Sequence, residues 1–327
     1  MPPGDSVMRG FRALPPRWRE RIKRLTGALG HEPGWAHRFR ARRLAATRRR
    51  LDAVSEDLAG RLRFAGVECL AGRACLEFGT GHLLSEVLAY HLAGARRAVA
   101  VDYFPILQAS EMHRACEGAD VERIVAAWAP FADAAQVRSR ARALLGREHW
   151  SLESLSRLGV SYVAPHDAAR GPLEVEAFDV ITSGSVLEHL PHDRAGAILA
   201  NLFAMLAPGG RMVHVVHLED HRDFVGAPFA FLAEDTDWTE RDADTRGNRV
   251  RASGWIAMAQ ALPGAAVTWR SWVRDPGALP KRLHPRFAGY DRADLCTGSL
   301  MLAVAKPPEA GTPETDTPAQ TPPASES

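Results

Sequence analysis

The chain has 327 residues, of which 46% are hydrophobic and 24% charged, and its formal net charge is +2. This composition is that of a globular protein and excludes a fibrous or wholly disordered chain. The sequence has no run of about 20 uncharged apolar residues, so it predicts no transmembrane helix. The N-terminus lacks the apolar core of a signal peptide, and the four cysteines are scattered rather than paired as CxxC. We therefore expect a cytoplasmic protein.

Residues 1–66 are predicted to form a basic helical arm. Residues 1–63 carry 16 Lys or Arg against 6 Asp or Glu. Within the arm, Trp18, Ile22, Leu25 and Leu29 recur at the spacing of an amphipathic helix. This pattern favours a helix that packs on the main domain. Peripheral contact of the 18–29 helix with a membrane, or of the arm with a nucleic acid, stays open as an alternative, as does the oligomeric state.

Residues 67–306 show short apolar runs that alternate with segments of helix length. The predicted strands cover residues 74–78, 98–101, 161–164, 178–183, 211–217, 266–272 and 299–305. This alternation predicts an α/β fold with a doubly wound, seven-stranded, mostly parallel sheet and helices on both faces. A helical insertion is expected over 118–158, and the segment 221–262 has the length of a lid or binding loop. The Pro- and Thr-rich residues 307–327 predict a disordered tail.

The strongest local motif is LEFGTGHL at residues 76–83, a glycine turn between a strand and a helix. Glycine permits the tight turn, and backbone amides at a helix N-terminus can bind a ligand. A dinucleotide fingerprint would require a third glycine where Leu84 stands, which disfavours NAD. The next strand ends at Asp102, whose carboxylate suits the two hydroxyls of a ribose or the cap of a helix. The upstream turn favours the ribose.

Five motifs in order resemble those of the class I S-adenosylmethionine-dependent methyltransferases. They are LEFGTGHL (76–83), AVDYF (100–104), APHDA (164–168), FDVITSGSVLEHLP (178–191) and MLAPGGRMVHVV (205–216). The resemblance implies a Rossmann-like methyltransferase fold with S-adenosyl-L-methionine as the cofactor. The cofactor-binding residues that it implies are Glu77, Gly79, Gly81, Asp102, Tyr103, Asp167, Ser183 and Ser185.

Two clusters that contain histidine follow the fourth and fifth predicted strands. His217, Asp220 and His221 are predicted to contact or deprotonate the methyl acceptor, because histidine exchanges protons near neutral pH. Glu188 and His189 are the alternative catalytic pair, although a packing role is favoured for them. The sequence has no HExxH pattern, and no metal site is predicted.

These observations predict methyl transfer to a small-molecule acceptor at oxygen, nitrogen or carbon. Enzymes that methylate the exocyclic amines of bases resemble one another in an (Asp/Asn)-Pro-Pro-(Tyr/Phe) motif after the fourth strand, where this chain reads SGSVLEHLP. The difference disfavours such an activity. Methylation of RNA or another macromolecule through the basic arm, and a non-catalytic cofactor-binding module, remain as alternatives.

Overall fold

The computed structural model describes residues 50–107, 109–234 and 246–309. All of them belong to one of the two compact units of the chain, residues 50–327. The predicted 18–29 helix lies outside the described residues, as do residues 235–245 of the predicted lid and 310–327 of the predicted tail. The last part of the predicted arm is described and forms helix α1, Leu51–Phe64.

A seven-stranded sheet forms the centre of this unit, as the alternating pattern predicts. Its strands are β1 (Ala74–Phe78), β2 (Arg97–Val101), β3 (Val160–Val163), β4 (Phe178–Gly184), β5 (Leu206–His217), β6 (Ala266–Val273) and β7 (Thr297–Ala305). Their order in the sheet is β3-β2-β1-β4-β5-β7-β6. The first five strands run parallel, while β7 is antiparallel to both β5 and β6.

Helices cover both faces of the sheet. They are α2 (Ser85–Leu92), α3 (Val121–Trp128), α4 (Ala134–Leu145), α5 (Leu152–Ser156), α6 (Ala195–Ala204), α7 (Ala252–Gln260) and α8 (Arg292–Leu295). Short 3₁₀ segments include Leu187–His189 and Ala230–Ala233. Alternate residues of a strand point to opposite faces. Cys75 of β1 accordingly packs in a cluster with Leu58 of α1 and Trp128 of α3, whereas Leu76 packs in a cluster with Leu199 of α6 and Trp255 of α7.

The region expected to be a helical insertion contains α3, α4 and α5. Asp120 and Asp133 cap the first two helices by accepting hydrogen bonds from backbone N–H groups. The buried face of α3 carries Ile124, Val125 and Trp128, and it packs in the same cluster as α1 and α2. The helices of this region therefore extend the core on one face of the sheet.

After β7 the chain stays attached to the sheet for at least two residues. Lys306 donates its backbone N–H to Gly210, and the carbonyl of Pro307 accepts a hydrogen bond from Gly209. The predicted tail thus begins with a residue that contacts the domain. Within the described residues, no helix has the length and apolar character needed to cross a bilayer.

Candidate functional site

The glycine turn after β1 adopts a conformation that requires its glycines. Gly79 has φ +80° and Gly81 has φ +67°, in the left-handed region that side chains disfavour. A Cβ on Gly79 would collide with the side chain of Val186, whereas a Cβ on Gly81 would meet no described atom within 4 Å. Leu84, the residue before α2, is also left-handed, with φ 51°. The turn therefore leaves open space at Gly81, at the carboxyl end of β1.

Asp102 joins this turn to the end of β2. Its Oδ2 accepts a 2.7 Å hydrogen bond from the backbone N–H of Gly81, and no described residue donates to its Oδ1. Burial raises the pKa of Asp102 to about 6, and the Gly81 N–H offsets part of that effect. The carboxylate thus holds the turn with one oxygen and leaves the other available to accept a hydrogen bond.

A cleft of about 540 Å³ lies beside Asp102, at the ends of β2 and β3. Its walls are residues 103–105, 165–167 and 170–172. Tyr103 and Phe104 are 47% and 60% exposed, and their rings meet edge to face with centres 4.6 Å apart. These rings give the cleft an exposed aromatic wall, which suits a flat ligand group.

Two polar side chains of the third motif also line the cleft. Asp167 accepts a hydrogen bond from the backbone N–H of Ala169 and lies 3.3 Å from Nε of Arg170. The Arg170 side chain is 88% exposed, so this ion pair is weak and can yield to a ligand. The Nε2 atom of His166 is buried without a hydrogen bond from the described residues, and burial lowers the pKa of this ring. Sequence reasoning missed His166, although it lies inside the APHDA motif.

Below the turn, charged side chains are buried in a connected network. Glu77 accepts a 2.7 Å hydrogen bond from Thr80, and burial, followed by the nearby charge of Glu86, raises the pKa of Glu77. Glu86 also pairs with Arg61 of α1. Burial opposes the charge of Arg61, but its carboxylate neighbours more than compensate and raise its pKa. The network therefore fixes α1, the glycine turn and α2 to one another.

The two serines at the end of β4 have different surroundings. Ser183 is fully buried, and its Oγ lies 2.7 Å from Nδ1 of His214, its register partner on β5. Burial, with a smaller contribution from Arg61, lowers the pKa of His214 to about 3, so this ring is neutral. Ser185 is exposed and has φ 57°. Of the predicted pair, only Ser185 therefore reaches the open end of the strand.

Histidines from two strand ends form a second group beside β4 and β5. The ring centres of His189 and His221 are 4.7 Å apart. The ring centre of Phe224 lies 5.1 Å from that of His221 and 6.5 Å from that of His217. Burial lowers the pKa of His221 to about 4, and its histidine neighbours add to the effect. Glu188, which precedes His189 in the chain, is 1% exposed, and burial raises its pKa to about 8. The structure thus unites the two clusters that the sequence analysis treated as alternatives.

Asp220 is paired with two arginines. Its carboxylate accepts hydrogen bonds from Arg222 and Arg246, both of which also pair with Glu234. Burial opposes ionisation of Asp220, but the hydrogen bonds from the arginines prevail and lower its pKa. The oxygens of Asp220 thus take part in ion pairs, and its role toward the acceptor stays a prediction.

Residues 246–251 hold the two histidine-bearing turns together. The backbone N–H of Asn248 donates to the carbonyl of Glu188, and its side-chain amide donates to the carbonyls of Leu187 and Leu190. Arg251 is fully buried and donates to four backbone carbonyls, one of them that of Leu218. Sequence reasoning missed Arg246, Asn248 and Arg251, since a loop with several arginines has no periodic signal.

The family of the chain follows from its sequence match. A family model described as a methyltransferase domain matches residues 37–272, which is more than two thirds of the chain. The chain belongs to the class I S-adenosylmethionine-dependent methyltransferases. It is therefore an enzyme that uses S-adenosylmethionine as its cofactor.

Solved structures of several methyltransferases are similar to this chain. An S-adenosylmethionine-dependent methyltransferase from Mesorhizobium loti is 16% identical, with a TM-score of 0.41 over 78% of this chain and 100% of that one. Magnesium protoporphyrin IX methyltransferase from Synechocystis, with bound S-adenosylhomocysteine, is 13% identical, with a TM-score of 0.39 over 78% and 82%. The N-methyltransferase NodS from Bradyrhizobium japonicum is 16% identical, with a TM-score of 0.36 over 78% and 86%. No curated protein matches the chain by sequence.

Proposed function

We propose that this methyltransferase acts on a small-molecule acceptor that binds where β4 and β5 end. The observation that carries the proposal is the placement of the glycine turn, Asp102 and the histidine group at one edge of the sheet. In doubly wound sheets, ligands bind at the carboxyl ends of the strands, where the strand order reverses. Here the order reverses between β1 and β4. The glycine turn and the histidine group lie on the two sides of that point.

The residues around β1, β2 and β3 fit the parts of the cofactor. Gly81 leaves the space that a Cβ would fill, and the Oδ1 atom of Asp102 can accept a hydrogen bond from a ribose hydroxyl. Tyr103 offers an aromatic surface for the adenine, and Asp167 lies in the same cleft for its amine. Glu77 shapes the turn from below through Thr80. When bound, S-adenosylmethionine supplies a methyl group activated by its sulfonium.

The residues after β4 and β5 are assigned to the acceptor. Alignment of the acceptor with the methyl group supplies much of the rate, and a base assists when the acceptor must lose a proton. We assign the removal of this proton to His217, the last residue of β5. Its ring lies near the half-exposed ring of Phe224. The rings of His217, His221 and Phe224 come together here, and we call this place the acceptor entrance. The nearby Arg222 and Arg246 are paired with Asp220 and Glu234. They are therefore not free to bind the phosphates of a nucleic acid, which favours a small molecule.

The test is a methyl-transfer assay with labelled S-adenosylmethionine and separate panels of small phenols, amines and carboxylic acids, and of RNA. We expect turnover with a small molecule, and we expect His217→Ala to lower it about 10²- to 10⁴-fold. The affinity for S-adenosylhomocysteine should stay unchanged in this variant. His149→Ala, at an exposed histidine of the insertion, is the matched control and should keep full turnover. Methylation of RNA alone, or full turnover in His217→Ala, would contradict the proposal.

A further inference from the structure

Glu188, His189 and His221 bring three metal-binding side chains together at the acceptor entrance. Each residue offers one ligand atom, and these atoms all lie within 4.8 Å of one another. Two of the residues come from the 3₁₀ segment after β4 and the third from the turn after β5. Because β4 and β5 are parallel neighbours, their carboxyl ends bring the three side chains to one place.

Two of the three residues, Glu188 and His221, have buried polar atoms without a hydrogen bond from the described residues. Glu188 is 1% exposed, and neither of its carboxylate oxygens accepts a well-formed hydrogen bond from the described residues, although the N–H groups of Glu188 and His217 lie near. The Nε2 atom of His221 is also buried and unbonded within the described part of the chain. Burial penalises the ionised form of Glu188, and a cation beside the carboxylate would stabilise that form. Such a group calls for an explanation, and a bound cation is one.

The backbone around the cluster is fixed before any ligand binds. Asn248 ties down the turn of Glu188 with three hydrogen bonds. The backbone N–H of His221 donates to the carbonyl of Arg246, whose side chain is held in turn by Asp220. Ligands on a fixed framework need little reorganisation to bind an ion, which favours affinity.

We propose that Glu188, His189 and His221 bind a divalent first-row transition cation of the zinc, cobalt or manganese class. Two imidazoles and one carboxylate form the donor set that such cations prefer, whereas calcium and magnesium prefer oxygen ligands alone. Three protein ligands leave coordination positions open. His221 lies beside Phe224 at the acceptor entrance. A cation held by these residues would be placed to polarise an oxygen atom of the acceptor. This last role rests on the proposed function, but the binding of the cation does not.

The test is a titration of the full-length protein, stripped of metals with a chelator, with Co²⁺ and separately with Zn²⁺. Co²⁺ bound to nitrogen and oxygen ligands gives visible absorption bands, and calorimetry gives the stoichiometry for Zn²⁺. We expect one ion per chain, and we expect Glu188→Gln and His221→Ala each to weaken binding by at least about 100-fold, more than the loss of an outer-shell contact. His149→Ala should bind like the wild type, and Mg²⁺ should not compete.

S-adenosylhomocysteine affinity and thermal melting of each variant report whether it is folded, so a misfolded variant is recognised and replaced by His189→Ala. The proposal is wrong if the wild type shows no stoichiometric binding, or if all these variants bind the ion equally. Stoichiometric binding without turnover of a small molecule would reject the proposed acceptor and support the cation site. If a small molecule is turned over without any cation and the protein binds no cation, the cation site is rejected and the proposed acceptor is retained.

Discussion

Replacing Gly81 with alanine tests whether the open space in the glycine turn is the cofactor's place. A Cβ at φ +67° costs about 1–2 kcal/mol of stability, because the left-handed conformation crowds it against the following carbonyl. For a domain of this size, each kcal/mol corresponds to a melting temperature lower by about 2–4 °C. Gly72→Ala is the matched control, since Gly72 has φ +72°, also has no described atom within 4 Å of its Cβ position, and precedes β1 at the amino end of the strand.

The two variants should therefore melt alike and bind differently. In Gly81→Ala, the added methyl group fills space that we assign to S-adenosylhomocysteine, at an overpacking cost of about 1–3 kcal/mol. That cost corresponds to an affinity about 5- to 150-fold lower by calorimetry, whereas Gly72→Ala should bind as the wild type does. Equal affinities in two folded variants would refute the assignment of the turn to the cofactor.

Three further predictions concern Asp102, Arg251 and the C-terminal segment. Because the pKa of Asp102 is about 6 and its ionised form accepts ribose hydroxyls best, S-adenosylhomocysteine affinity should fall up to about tenfold per pH unit below 6. In Asp102→Asn the affinity should not change with pH. If calorimetry shows the same pH dependence in the wild type and in this variant, the ribose assignment is wrong. Arg251→Met leaves four buried carbonyls without their donor. It should therefore lower the free energy of unfolding, measured in urea, by at least about 3 kcal/mol. A loss below about 1 kcal/mol would contradict this account. Deletion of residues 310–327 should change neither the melting temperature nor the affinity, because their composition offers little apolar area to bury; a lower melting temperature would show that they dock.

The sequence alone predicts the strands well, because most of them contain a short apolar run bounded by turn residues. Residues 74–78 are predicted and observed as β1, and the other six strands differ from their predictions by a few residues at the ends. The position of β7 between β5 and β6 is not visible in any local pattern, since strand order depends on pairings between distant segments.

The same limit applies to the candidate site. Gly79, Gly81 and Asp102 are found from the sequence because a turn and the end of a strand have local signals. The contact between buried Ser183 and His214 depends on the register between β4 and β5. The ion pair between Asp220 and Arg246 joins residues 26 positions apart in the sequence. Glu188, His189 and His221 can be placed together only once β4 and β5 are known to be neighbours.

The position of β7 also has a consequence for how the protein is made. Strands β5 and β6 leave the ribosome before the strand that separates them, and in the native sheet they do not pair with each other. The buried side chains of Leu300 and Leu302 are therefore missing while most of the domain has already been synthesised. Until residues 297–305 arrive, the edges of β5 and β6 that pair with β7 stay open, which favours association with other chains. The domain can close its core only late in translation, so the interval before β7 emerges is when the chain most needs a chaperone.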